Sequence, residues 1–232
     1  HRYLIRGNEN SVCQQDFQDM IYRPWPGVEI CISPMNDSAI ELPEGVALAM
    51  PCQAHTTRVA VVADAGESFP DTDGLISFSE KTAVGVRTAD CQPVLMYAPD
   101  IRAVAAVHAG HRGTLGRISV RALELLCERG ARAGDVRVFL GPSICGSCYE
   151  VSAELVATFR AAGFSAGIPS ERRLDLAVLN AESLKEHGVR EANIVRLKHC
   201  TLHYETDGHT VYPSWRRQKG IEDRLISTIR LV

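Results

Sequence analysis

Apolar residues along the chain follow two rhythms. Short runs rich in β-branched residues predict strands at Val28 to Ile32, Arg58 to Val62, Ala83 to Thr88, Pro93 to Tyr97, Arg102 to Val107 and Val136 to Leu140, because such side chains fit a pleated, half-buried surface. Apolar residues spaced three and four apart predict helices instead. One runs Thr114 to Glu128, with Leu115, Ile118, Ala122, Leu125 and Leu126 on one face and Gly130 just beyond its end. Two more run Ser152 to Ala162 and Leu176 to His187, the latter closed by Gly188. The strands mostly come first and the helices later, which favours an α+β fold over a regular βαβ alternation.

One local pairing bears on chemistry. Ala98-Pro99-Asp100-Ile101 separates two strand-like runs, and a turn with Pro and Asp there predicts an antiparallel hairpin. If Tyr97 faces Arg102, counting outward sets Cys91 opposite His108, with Cβ atoms about 5 Å apart on one face. A slip of one residue would put them on opposite faces.

A chain of 232 residues, 45% of them hydrophobic, can bury a full core. With no repeat and no linker-like run, it is expected to form one domain over residues 1–232. The net charge of −3 is spread without a basic block, so nucleic acid is not an expected partner. No apolar run reaches the roughly 20 residues a membrane helix needs, and the start His1-Arg2-Tyr3 lacks a signal-type pattern. A cytoplasmic location and no membrane partner are therefore expected. Eight cysteines, Cys13, Cys31, Cys52, Cys91, Cys127, Cys145, Cys148 and Cys200, are scattered along the chain, which argues against a disulfide scaffold. Cys31 and Cys127 sit in apolar segments and read as buried small hydrophobes.

A thiolate and an imidazole brought together at Cys91 and His108 can share a zinc ion or act as nucleophile and base; they can also merely pack. Val107-His108-Ala109-Gly110-His111-Arg112-Gly113 joins a strand end to a helix start. Arg112 there is a phosphate-site candidate, with a plain surface arginine as the alternative. Gly141-Pro142-Ser143-Ile144-Cys145-Gly146-Ser147-Cys148-Tyr149-Glu150-Val151 is a second Gly-containing connection. Its lone C-x-x-C can be redox-active or half of a zinc site, but with no second such pair it reads first as loop geometry.

Four blocks carry a family resemblance: Gln53-Ala54-His55; Thr88-Ala89-Asp90-Cys91 with Pro93; Val107-His108-Ala109-Gly110 with Arg112-Gly113; and Gly141-Pro142-x-Ile144 with Tyr149-Glu150-Val151. Cys200-Thr201 and Ser214-x-Arg216-Arg217 form a weaker fifth. In these the sequence resembles the YfiH-like family, first described as polyphenol oxidases or laccase-domain proteins and understood as purine nucleoside phosphorylases with adenosine deaminase activity. The resemblance implies a mixed β-sandwich core flanked by helices. It also implies a zinc site held by His55, Cys91 and His108, with a fourth position open for catalysis. The chain departs from the family in carrying His111 for Trp, Thr56 for Gly and Trp215 for Tyr, and it has no counterpart of the family's Thr-Arg-x-Gly-Gly stretch before residue 50.

Purine nucleosides (adenosine, inosine, guanosine or methylthioadenosine) and phosphate are accordingly the expected substrates, acting on a monomer or homodimer. Cys91, His108, Asp90, Arg112 and His111 form the candidate catalytic set. Arg112 would neutralise phosphate, Asp90 tune the metal or move protons, and His111 bind substrate or exchange a proton. Copper is a poor fit, because multicopper oxidases use several His-x-His pairs and the eight histidines here form none. A cysteine hydrolase using Cys91 and His108 is the main rival, and a zinc-stabilised binding protein a third reading.

Overall fold

The computed structural model describes residues 20–33 and 40–232, with the backbone alone at 3–5. Its strands are β1 (Tyr3–Ile5), β2 (Met20–Tyr22), β3 (Val28–Ser33), β4 (Ala47–Ala49), β5 (Val59–Val61), β6 (Gly74–Ser77), β7 (Thr82–Thr88), β8 (Gln92–Ala98), β9 (Ala103–Ala109), β10 (Arg137–Leu140), β11 (Ile194–Arg196), β12 (Glu205–Thr206), β13 (His209–Thr210) and β14 (Leu225–Leu231). Its helices are α1 (His111–Leu115), α2 (Ile118–Cys127), α3 (Ala153–Ala161) and α4 (Leu176–Glu186). The strands build a sheet in the order β1-β2-β3-β14-β7-β4, a second in the order β11-β10-β8-β9-β6-β5, and a small β12-β13 hairpin. Cys13 and residues 34–39, within the stretch where the family's N-terminal motif has no counterpart, lie outside the described residues.

Alternation along the strands shows how the layers stack. Leu95 and Tyr97 of β8, Val104 and Ala106 of β9 and Leu75 of β6 pack with Ile30, Ile32, Val84, Val86 and Ile229 of the first sheet. Their neighbours Val94, Met96, Ala103, Ala105, Val107 and Ile76 face the other way, onto Ile118, Ala122 and Leu126 of α2 and Ala177 and Leu184 of α4. The second sheet is thus covered on both sides, so every residue of β8 and β9 is buried and both strands read as unbroken apolar runs. The architecture is α+β: a mixed β-sandwich with helices on one outer face.

Two sequence expectations are corrected. Tyr97 pairs with Val104, not Arg102, and Pro93 pairs with His108. Arg102 adopts a left-handed conformation (φ 47°) and belongs to a four-residue turn, which shifts the register by two. Cys91 therefore does not oppose His108; one step beyond the Gln92–Ala109 pair it meets Gly110. A shift of two preserves the face, so Cys91 and His108 remain diagonal neighbours on one side. The helix expected from Thr114 to Glu128 is also two helices, broken where Gly116 passes the Thr57 side chain and Arg117 turns left-handed (φ 57°). That break lays α2 along the sheet and leaves His111 and Arg112 in the separate short helix α1.

Candidate metal centre

One end of the sandwich gathers the loops of the sequence blocks. Thr88 ends β7 beside Leu225, Gln92 begins β8 beside Ala109, and Gly74 begins β6 beside Val107 and Val59. Strand alternation aims the last inward side chain of β9, His108, and that of Cys91 into this end. The ligand atoms of His55, Cys91 and His108 all lie within 4.8 Å of one another, with the two imidazole rings edge to face at 4.7 Å. Gly110 makes the closeness possible: a Cβ there would stand 3.0 Å from both Cys91 Sγ and His55 Cδ2.

Asp73, fully buried at the entry to β6, organises two of the three. Its Oδ1 lies 2.7 Å from His108 Nδ1 and accepts the His55 N–H at 3.0 Å. Its Oδ2 accepts the N–H groups of Ala54 (3.1 Å) and Thr56 (2.7 Å) and the Thr56 hydroxyl (2.9 Å). The backbone of His55, left-handed at φ 59°, is thereby pinned in a conformation that costs a non-glycine residue energy. With Nδ1 engaged by a carboxylate, His108 presents Nε2 to the cluster, the arrangement that orients and tunes a metal-binding histidine. Asp73 was missed by sequence reasoning: in Pro70-Asp71-Thr72-Asp73 it looks like an ordinary turn residue, and only the fold shows what it grips. Thr56, the departure from the family's Gly, adds its hydroxyl to that grip.

Electrostatics follow this geometry. Burial opposes a charge on Cys91, yet hydrogen bonds from His108 and His55 bring its thiol down to about 7. Burial likewise opposes a charged His108, but the Asp73 hydrogen bond and then Cys91 raise it to about 9. Asp73 is driven far below the usual carboxyl range: its bonds from His108 and Thr56 outweigh its desolvation.

The remaining candidates divide. His111, half-buried at the start of α1, has its pKa lowered by burial and by Arg112 and His55. Arg112 is exposed and has no ion-pair partner among the described residues. Asp90 is buried at φ 86°, and its two oxygens accept Thr201 Oγ1 (2.7 Å) and the Arg216 N–H (2.8 Å). Arg216 in turn lies over the Tyr149 ring at 5.1 Å, whose hydroxyl is raised to about 12 by burial and the nearby Cys91. Trp215 is 47% exposed.

A thiolate and two imidazoles drawn together at the end of an α+β sandwich define a protein with a Cys/His group suited to a metal ion. Residues 35–232 match the family described as multi-copper polyphenol oxidoreductase laccase; the chain belongs to that family, the YfiH-like family. It is 37% identical over 176 residues to a purine nucleoside phosphorylase of Deinococcus radiodurans, covering 75% of this chain and 66% of that one. It is 35% identical over 170 residues to adenosine deaminase RL5 of an unknown prokaryotic organism, covering 66% and 65%. The chain thus spans just under two thirds of the length of these two relatives. Among solved structures, it superposes on the Bacillus licheniformis hypothetical protein YfiH with a TM-score of 0.81 at 20% identity, over 94% of this chain and 97% of that one. None of the described helices is long and apolar enough to cross a membrane.

Proposed function

We propose that this chain is a zinc-dependent purine nucleoside phosphorylase with adenosine deaminase activity, its metal held by His55, Cys91 and His108. The observation that carries the reading is the convergence of these donors within 4.8 Å, backed by Asp73 on His108. The donor set suits zinc: one soft thiolate and two imidazoles, with a fourth position left for substrate. The names of the two sequence relatives supply the substrate class. When bound, the ion supplies Lewis-acid polarisation of a substrate oxygen. The fold's own residues do the rest. Asp73 fixes the His108 tautomer and the His55 backbone, so the donors are set before substrate arrives. Arg112, exposed and with no ion-pair partner among the described residues, receives phosphate. In phosphorolysis a phosphate oxygen bonds to the ribose anomeric carbon as the bond to the purine nitrogen breaks, and the purine departs with that electron pair. His111, kept neutral at pH 7, donates a hydrogen bond to the base. In deamination, where a water oxygen bonds to the ring carbon as the amino group leaves it as ammonia, the same imidazole accepts the water's proton and returns it to the departing nitrogen. Asp90, with both oxygens engaged, acts as a positioning residue for the Cys91 loop. No nucleic acid or membrane partner enters this reading, and the protein works as a monomer or homodimer in the cytoplasm.

The Asp73, His108 and Cys91 alignment also favours a second reading, a cysteine hydrolase with Cys91 as nucleophile and His108 as oriented base. Metal content and product analysis separate the two. Tag-free protein is assayed for metals and incubated with adenosine with and without phosphate. Adenine and ribose 1-phosphate forming only with phosphate, and lost with the zinc in Cys91→Ala, is the expected result. Metal-free protein that leaves nucleosides unchanged would overturn the proposal in favour of the hydrolase.

A further inference from the structure

A second group of metal-ligating side chains lies on the other side of Asp90. Cys145, Cys148, Cys200 and His203 bring one donor atom each to within 4.8 Å of one another. The lone C-x-x-C of the sequence thus finds its complement in Cys200-x-x-His203, on a distant segment of chain. Each half is a hydrogen-bonded turn: Cys148 and Tyr149 donate N–H to Cys145 O (both 2.9 Å), and Tyr204 donates to Cys200 O (2.8 Å). The halves are laced together by the Ser143–Cys200 bridge, in which Thr201 N–H meets Ser143 O at 3.1 Å. Cys145 N–H points at Cys200 Sγ (3.4 Å), and Cys148 Sγ lies 3.3 Å from His203 Nδ1. The three thiols form no disulfide.

From this geometry we infer a structural zinc site of Cys3His type at Cys145, Cys148, Cys200 and His203. Four protein donors close a tetrahedron, and with Zn–S bonds of about 2.3 Å they would stand roughly 3.5–3.8 Å apart. The cluster is already near that size, and its two turns are fixed by backbone bonds that need no metal. Zinc is taken up with loss of the thiol protons, leaving three thiolates and one neutral imidazole around the ion. The site's place explains its use. Ile144, next to Cys145, donates its N–H to Asp90 O (2.9 Å), and Thr201, next to Cys200, donates its hydroxyl to Asp90 Oδ1. Zinc there ties together two of the three segments that grip Asp90, those of Ile144 and Thr201, and so braces the loop carrying Cys91. The inference stands whatever reaction the first centre catalyses.

The test is made in the Cys91→Ala background, where the first centre lacks its thiolate. Full-length protein expressed without a metal-affinity tag is desalted under reducing conditions, and zinc is counted by elemental analysis. About one zinc per chain is expected in Cys91→Ala, against about two in the unaltered protein. That remaining ion should be lost in Cys91→Ala/His203→Ala and regained in Cys91→Ala/His203→Cys, which restores four donors. Cobalt substituted into Cys91→Ala should give intense thiolate-to-metal charge transfer that the His203→Cys form strengthens. Circular dichroism of each variant checks that it is folded. A zinc-free Cys91→Ala chain, zinc retained in Cys91→Ala/His203→Ala, or a mass showing a disulfide among Cys145, Cys148 and Cys200 in zinc-replete protein would each overturn the inference.

Discussion

Replacing Asp73 with Asn keeps size and shape while changing what the side chain can accept. Five donors converge on its two oxygens: His55 N–H and His108 on Oδ1, and Ala54 N–H, Thr56 N–H and the Thr56 hydroxyl on Oδ2. An amide has one oxygen, so its best orientation leaves that oxygen at the Oδ2 place and turns its NH2 toward His55 and His108. Two outcomes remain for His108. If it keeps its proton on Nδ1, two donors face each other in a buried site. If it accepts from the amide instead, its proton moves to Nε2, the nitrogen that faces Cys91 and would hold the proposed metal. Unsatisfied buried donors cost about 1–3 kcal/mol each, so two put the expected loss at about 2–6 kcal/mol, shared between folding and metal affinity. Losing an outer carboxylate typically weakens metal binding about 10–100-fold. For a chain of this size, 2 kcal/mol of stability lowers Tm by about 4–8 °C. Chelator competition measures the affinity, and thermal unfolding of metal-free protein measures the stability. The ion pair sets the pH window: Asp73 contributes above the unfolded carboxyl value of 3.8 and loses that contribution as pH falls further. His108 contributes below the unfolded imidazole value of 6.5 and loses it as pH rises through about 9. An Asp73→Asn protein with unaltered Tm and metal affinity between those limits would refute the reasoning.

Metal uptake by the first centre should depend on pH in two steps. With Cys91 near 7 and His108 near 9, metal displaces one proton from this pair between those values and both below them. Apparent affinity measured by chelator competition should therefore rise about tenfold per pH unit from 7 to 9, more steeply below 7, and level above 9. A second substitution, Gly110→Ala, probes the cradle, since its backbone (φ −72°) accepts alanine without strain while the added Cβ meets Cys91 Sγ and His55 at 3.0 Å. Metal affinity is expected to drop about tenfold or more with little change in the Tm of the metal-free protein; unchanged affinity would show that the donors have room to spare.

What the sequence disclosed was local. The expected ranges of α3 and α4 hold to within a residue or so at each end, with Gly188 just beyond α4, because the apolar spacing and a closing glycine are short-range signals. β8 and β9 announced themselves as apolar runs because both faces are buried. β14, although central to its sheet between β3 and β7, was passed over: Ser227, Thr228 and Arg230 interrupt its apolar pattern, and its partners lie far away in sequence. The hairpin register went wrong by two because nothing in Pro99-Asp100-Ile101-Arg102 marks Arg102 as left-handed. The candidate site shows the same divide. His55, Cys91 and His108 stand in motifs, whereas Asp73 looks like an ordinary turn residue, and the C-x-x-C of Cys145 and Cys148 meets Cys200 and His203 only through the tertiary fold.

The donor sets also bear on the copper in the family's description. A divalent N/S site binds Cu2+ more tightly than Zn2+ as a rule, so the ion found in purified protein reflects supply as much as design. Reaction chemistry is the stricter criterion. A laccase gathers electrons one at a time and passes four to dioxygen, which calls for several redox ions in electronic contact. Among the described residues only two groups have metal-binding geometry. One offers three donors, which would leave a position open on a bound ion; the other offers four, which would close around a single ion. A closed Cys3His shell leaves no position for dioxygen, and a lone open site cannot store four electrons. Nucleoside chemistry asks only for a fixed Lewis acid and a place for phosphate, which the proposed first centre and Arg112 would supply. Oxidase activity that scales with copper loading and survives loss of Cys91 would contradict this argument; nucleoside turnover that follows zinc in the same preparations is what it expects.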